Sequence, residues 1–223
     1  YGKLFELKKK GLDAVWIPII KSHILSTLFK KKFDYIVGNP PWIAYRNIIN
    51  PMYQERVKKL VAETYGLVED EHLMTHMEMA TLFFVRTLDV YLKDEDRTGS
   101  KDGGLIGFVM PRSIFSSDQH DRFRRCDIRG VSYRLVKVLD CESVEPLFYV
   151  PACAIIARKG GTTQYPIEAV TISGKLPAER HKVIPLEEAK KHLRFEPKKL
   201  YLNWIGARSW LDYKEVKIRV ERS

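Results

Sequence analysis

Cysteine is scarce in this chain: Cys126, Cys141 and Cys153 are the three in 223 residues. The number is odd and no two stand in Cys-x-x-Cys spacing. That excludes a disulfide framework and a cysteine zinc site, and points to buried thiols in a reducing, cytoplasmic compartment. No apolar run approaches the roughly 18 residues of a membrane span. Acidic residues are outnumbered, 28 against 38 Lys plus Arg, leaving a formal charge of +10. Such an excess suits a polyanionic partner, nucleic acid first of all. A Gly-x-Gly turn after a strand, with an acidic residue about 20 positions on, is also missing. So is a nuclease Pro-Asp…Glu-x-Lys pattern. His72 and His76 are four apart, but Leu73 stands where the zinc-protease pattern needs Glu, so no metal is expected.

What is present centres on Phe33-Asp34-Tyr35-Ile36-Val37-Gly38-Asn39-Pro40-Pro41-Trp42. Tyr35, Ile36 and Val37 are β-formers in a run that stops at Gly-Asn-Pro-Pro. Two prolines cannot continue a ladder, and each pushes the residue before it to an extended conformation. A stiff loop is therefore expected at the C-terminal end of a strand, where open α/β sheets bind ligands. The loop offers the Asn39 amide, the Pro40 carbonyl and the Trp42 ring. Two acceptors aimed at the hydrogens of an aromatic amine would localise its lone pair and make it a nucleophile. Trp42 could stack on a base taken out of the helix.

These residues resemble the catalytic motif of amino-directed methyltransferases that use S-adenosyl-L-methionine. They are most similar to the N6-adenine DNA methyltransferases of restriction-modification systems, including type IIG enzymes and type I modification subunits. Release-factor glutamine methyltransferases and some guanine-N2 RNA methyltransferases share Asn-Pro-Pro-aromatic, so an RNA or protein N-methyltransferase is the alternative. A DNA-binding remnant without turnover is a third reading. The resemblance covers roughly residues 30–160. It implies an α/β fold: the catalytic half of a Rossmann-like class I methyltransferase sheet, closed by an antiparallel strand pair. Asn39, Pro40, Pro41 and Trp42 are the implied catalytic residues. The implied partners are duplex DNA with a flipped adenine and a restriction or specificity subunit or domain. The absence of a Pro-Cys dipeptide agrees with direct attack of the amine on the methyl, without a covalent intermediate.

Along the chain, Ser22–Phe29 is read as a helix, and residues 43–71 as a polar helix with a flanking loop. Residues 72–92 read as one helix, with Leu73, Met77, Ala80, Phe84, Leu88 and Tyr91 on its apolar stripe. Asp94 to Gly104 is a charged loop, Gly104–Pro111 a buried strand and Gln119–Cys126 a short basic helix. Gly103 and Gly104 are not read as a phosphate cradle. Val131–Asp140 and Ala152–Lys159 form the strand pair, joined by Glu142–Pro151. In the resemblance an aromatic of this connector stacks on the target base from the other face: Phe148, with Tyr149 as the alternative.

Gly160-Gly161 reads as a boundary between residues 1–160 and 161–223. Residues 162–223 hold 13 Lys plus Arg against 8 Asp plus Glu, interleaved with Tyr201, Trp204, Trp210 and Tyr213. They fit the start of a DNA target-recognition region, or a basic linker and helix. Only residues 1–32 precede Phe33, too few for the cofactor half of such an enzyme. The sequence is therefore expected to be the catalytic half of a larger enzyme, inactive alone and without its own main cofactor site. Its open sheet edge is expected to pair with another copy or segment.

Overall fold

A computed structural model describes residues 28–68, 70–95, 102–177 and 183–216. The helix expected over Ser22–Phe29 falls almost wholly outside them, and the Asp94–Gly104 loop partly so. The strand before the prolines is β1, Tyr35–Gly38. β2 is Leu105–Pro111, β3 Tyr133–Glu145, β4 Ala152–Lys159, β5 Ile167–Lys175, β6 Leu193–Ile205 and β7 Arg208–Asp212. They form one seven-stranded sheet in the order β1-β2-β4-β3-β5-β6-β7. β1 lies parallel to β2, and β4 runs antiparallel between β2 and β3. The expected antiparallel pair is therefore present. β5 continues the sheet parallel to β3, and β6 and β7 follow antiparallel.

The helices are α1 (Pro51–Lys58), which runs into a π-helical turn at Lys59–Thr64, α2 (Glu71–His76), α3 (Met79–Val90), α4 (Asp121–Arg124) and α5 (Leu186–Lys191). Asn50 caps α1 by accepting from the Tyr53 amide, and Pro51 occupies the first turn, where its missing N–H costs nothing. The single helix expected over residues 72–92 is instead two. Met77 and Glu78 are extended between α2 and α3 because the chain just after Trp42 pairs with them. The Tyr45 amide donates to the Met77 carbonyl at 2.8 Å and the Met79 amide to the Ile43 carbonyl at 2.9 Å.

α3 buries Ala80, Leu82, Phe84, Val85 and Leu88. Phe84 meets Phe108 of β2 and Phe123 of α4 edge-on, with ring centroids 5.7 and 5.2 Å apart. Such pairs add about 0.5–1.5 kcal/mol beyond the area they bury. Gly103 is a packing residue: a Cβ there would clash with the Lys159 carbonyl oxygen. Arg124, 1% exposed, ties the far end of the sheet to the first half of the chain. It donates to the carbonyls of Ile114, Ser117 and, from β7, Ser209.

Candidate active site

β1 delivers Asn39 to its C-terminal end, as the sequence predicts. Asn39 is exposed and its side chain makes no hydrogen bond among the described residues. Pro40 is buried, Pro41 is exposed and Trp42 is half-buried. The Trp42 indole N–H donates to the Val109 carbonyl of β2 at 3.2 Å, which fixes the ring plane against the neighbouring strand. Phe148, in the β3–β4 connector, packs on Trp42 with ring centroids 5.4 Å apart and planes tilted by 45°. Tyr149, the alternative, is 90% exposed. The structure therefore brings together Trp42 and Phe148, 106 positions apart in sequence, and leaves the Tyr149 ring at the surface.

Two hollows flank this constellation. A trough of about 600 Å³ runs along β1, walled by Phe33, Tyr35, Val37 and Phe83, with Asn39 and Pro40 at its end. The outer edge of β1 has no partner strand among the described residues. A second cavity, of about 380 Å³, is lined by Trp42, Glu78, Pro111, Arg112, Ser113 and Val150, among others.

The second cavity holds a polar cluster that sequence reasoning missed. Glu78, in the break between α2 and α3, accepts from Ser113 Oγ at 2.5 Å and pairs with His120 Nε2 at 2.8 Å, both through Oε2. Thr81 Oγ1 lies 3.0 Å from His120 Nδ1. Burial alone would raise the Glu78 pKa, but the bonds from His120 and Ser113 outweigh it and hold the carboxyl below its usual range. Burial pushes His120 down, against the pull of Glu78, and keeps the imidazole neutral. On the other wall, Arg112 Nε faces Asp140 at 3.0 Å and Glu142 at 3.1 Å. Burial would lower its pKa, but Asp140 and Glu142 raise it, so the guanidinium stays charged. Glu78, Ser113 and His120 share no short-range pattern. The only sequence signal was a charged residue inside an otherwise apolar helical stripe.

His72 and His76 face each other edge-on at 5.6 Å, and Arg46 Nη1 lies 2.7 Å from His76 Nδ1, a cation where a metal would otherwise approach. No group of three or more His, Cys, Asp or Glu able to hold a metal occurs among the described residues. Of the three thiols, Cys153 is buried, while Cys126 and Cys141 are only partly so. No helix among the described residues is long and apolar enough to cross a membrane.

A search of curated proteins finds no match. Among solved structures, the fold is similar to a type I restriction enzyme modification subunit from Vibrio vulnificus, at 16% identity and a TM-score of 0.42, over 74% of this chain and 33% of that one. It is also similar to LlaBIII, an ATP-dependent type ISP restriction-modification enzyme bound to DNA, at 15% identity and a TM-score of 0.36, over 72% of this chain and 12% of that one. A third likeness is to the DrdV–DNA complex, at 15% identity and a TM-score of 0.37, over 74% of this chain and 17% of that one. The chain thus spans a third or less of the length of these proteins. The family model of the Eco57I restriction-modification methylase matches residues 5–146, which include the Asn39 loop, the Glu78 cluster and β2. This chain belongs to the Eco57I restriction-modification methylase family.

Proposed function

We propose that the chain is the catalytic half of an S-adenosyl-L-methionine-dependent DNA methyltransferase that modifies N6 of an adenine flipped out of duplex DNA, in the cytoplasm, as part of a restriction-modification enzyme. The observation that carries the reading is an exposed Asn39 side chain, without a hydrogen bond among the described residues, at the end of a parallel strand, beside two aromatic rings and in a chain of this family.

In this reading the Asn39 side-chain oxygen and the Pro40 carbonyl accept the two amine hydrogens. The nitrogen becomes pyramidal, its lone pair points outward, and both contacts strengthen in the transition state. Trp42 and Phe148 hold the base by its faces. A ring slotted between them needs two van der Waals separations, roughly 7 Å. At 5.4 Å they touch each other, so they part when the base enters.

S-adenosyl-L-methionine supplies the methyl. Its ribose needs a carboxylate and its methionine end a glycine-rich turn. The trough along β1 is lined by neither, and offers that cofactor only the rim of the Asn39 loop. The four strands β1, β2, β4 and β3 would then be part of a Rossmann-like class I sheet, with residues 1–160 as the catalytic half. The open edge of β1 would take a further strand, from more of the same protein or from a second copy. Residues 161–223 would open the target-recognition region. Its β6–β7 hairpin carries Trp204, stacked against Arg125 at 4.9 Å, toward the phosphate backbone. A restriction or specificity subunit or domain would complete the assembly.

The deciding experiment is methyl transfer by the full-length enzyme to duplex DNA, followed by digestion to nucleosides and mass spectrometry. N6-methyladenine is expected. N4-methylcytosine as the product, or methylation of a release factor or an RNA in place of DNA, would overturn the reading.

A further inference from the structure

The cavity behind Trp42 is more fully built than the chemistry at Asn39 requires. Its proton directions follow from the bonds already described. An ionised carboxylate only accepts, so His120 must donate from Nε2–H to Glu78. Neutral imidazole has one N–H, so His120 Nδ1 accepts from the Thr81 hydroxyl. Ser113 donates to the same Glu78 oxygen, Oε2. Oε1 takes no hydrogen bond among the described residues. No buried side-chain nitrogen or oxygen there lacks a partner, so Oε1 is open, on a residue that lines the cavity.

Arg112 is braced in the same way. Asp140 and Glu142 take its Nε, and its guanidinium sits over the Phe115 ring at 4.7 Å. Its two terminal nitrogens make no hydrogen bond among the described residues. The cavity thus offers an ionised acceptor on one wall, guanidinium donors on another, and the indole of Trp42 with Pro111 and Val150 between them. Asp140 and Glu142 pair with the guanidinium and Glu78 lines the same cavity, three carboxylates against one cation, which disfavours a phosphate or carboxylate ligand. The set suits a neutral, flat ligand whose edge carries an amine beside a ring nitrogen.

We propose that this cavity is a nucleobase subsite that selects an amino-bearing base. The base stacks on Trp42, donates its exocyclic amine to Glu78 Oε1 and accepts from an Arg112 terminal nitrogen at a ring nitrogen. This rests on the reading of the chain as a base-modifying enzyme: a base on its way to Asn39 is checked here first. Thymine, which has no amine, would turn a carbonyl oxygen toward the carboxylate, leaving both acceptors unpaired. Cytosine and guanine, each with an amine beside a ring nitrogen, pass the same check, so the choice among the amino-bearing bases falls to the Asn39 loop.

The test is titration of the whole chain with 2′-deoxyadenosine, purine deoxyriboside and 2′-deoxyinosine, followed by NMR. These differ only in NH₂, H or O at position 6. Deoxyadenosine should bind about tenfold tighter than deoxyinosine, the cost of one unpaired polar group. Glu78→Gln keeps a carbonyl oxygen for Ser113 and His120 but presents an amide N–H to the cavity, so deoxyinosine should then bind as tightly as deoxyadenosine. The subsite is overturned if deoxyadenosine does not bind, or if Glu78→Gln, with an unchanged unfolding midpoint, keeps the wild-type preference. If Asn39→Ala abolishes the preference and Glu78→Gln does not, the amine is read at the catalytic loop alone. That result would refute the subsite while upholding the proposed function.

Discussion

The trough along β1 ends at Asn39, Pro40 and Pro41; the cavity of Glu78 and Arg112 is lined by the next residue, Trp42. The trough is apolar and open: Tyr35 is 76% exposed and Val37 83%, on a strand whose outer edge has no partner among the described residues. In the cavity every ionised group is braced by at least one named partner, and the imidazole beneath it is fully buried. The difference separates an apolar surface left open among the described residues from a polar cluster whose partners lie within them. Exposed apolar strand costs stability and invites pairing, whereas a satisfied polar cluster keeps one geometry with or without a ligand.

The largest expected effect tests where the core ends. Phe84 lies between α3, β2, β3 and α4, so Phe84→Ala should cost about 3–5 kcal/mol of unfolding free energy. Val37→Thr, on the trough, should change stability by less than about 0.5 kcal/mol. Urea unfolding of both variants checks this. Equal losses would mean that the trough is already part of a packed core, and the contrast would fail.

Next comes the chemistry. In an enzyme that methylates DNA, Asn39→Ala should lower the transfer rate by about 10²–10³, the usual loss for one preorganised contact to the reacting group. Single-turnover kinetics is the measurement, and wild-type rates would remove Asn39 from the catalytic set.

The third prediction concerns pH. Burial depresses the His120 pKa below its ordinary 6.5, so the unfolded chain binds a proton that the folded chain refuses. Stability should therefore fall as pH drops below about 6.5, by up to about 1.4 kcal/mol per pH unit for this one group. Glu78, also depressed, adds stability that is present above its unfolded value of 4.5 and lost as pH falls through its folded pKa. Urea midpoints at pH 7.5, 6.5 and 5.5 would show the first loss. In His120→Gln the slope between pH 6.5 and 5.5 should flatten. An unchanged slope would assign it to other groups.

The same contrast governs what was legible in the sequence. β1 and β2 could be read because each is a short apolar run ended by proline, a local signal. The break at Met77–Glu78 could not: Leu73, Met77, Ala80, Phe84 and Leu88 keep helical spacing straight across it. Only pairing with Ile43–Tyr45, more than 30 positions away, opens the helix there. β6 was hidden by its exposed charges and by Pro197. That residue pairs with Val170 of β5, while β7 pairs only with Tyr201 onward, so the other side of Pro197 carries no ladder and its missing N–H is tolerated. The Asn39 loop announced itself in ten consecutive residues. The Glu78–Ser113–His120 cluster spans 42 positions and exists only after folding.

The smallest expected effect is no effect at all. Calorimetric titration of the 223-residue chain with S-adenosyl-L-methionine should give no binding in the micromolar range. That cofactor is recognised by a carboxylate on its ribose hydroxyls and by backbone amides of a glycine-rich turn. The trough beside Asn39 is lined by aromatic and aliphatic side chains, Thr87 and the loop itself, none of which carries a negative charge. The carboxylates Glu78, Asp140 and Glu142 do not line the trough, and Ser113, His120 and Arg112 already engage them. Adding the cofactor should therefore leave the unfolding midpoint unchanged as well, since a ligand at its Kd already adds about 0.4 kcal/mol. One-to-one micromolar binding would place a cofactor site within this chain, and the trough could no longer be read as a surface that needs a further element to complete it.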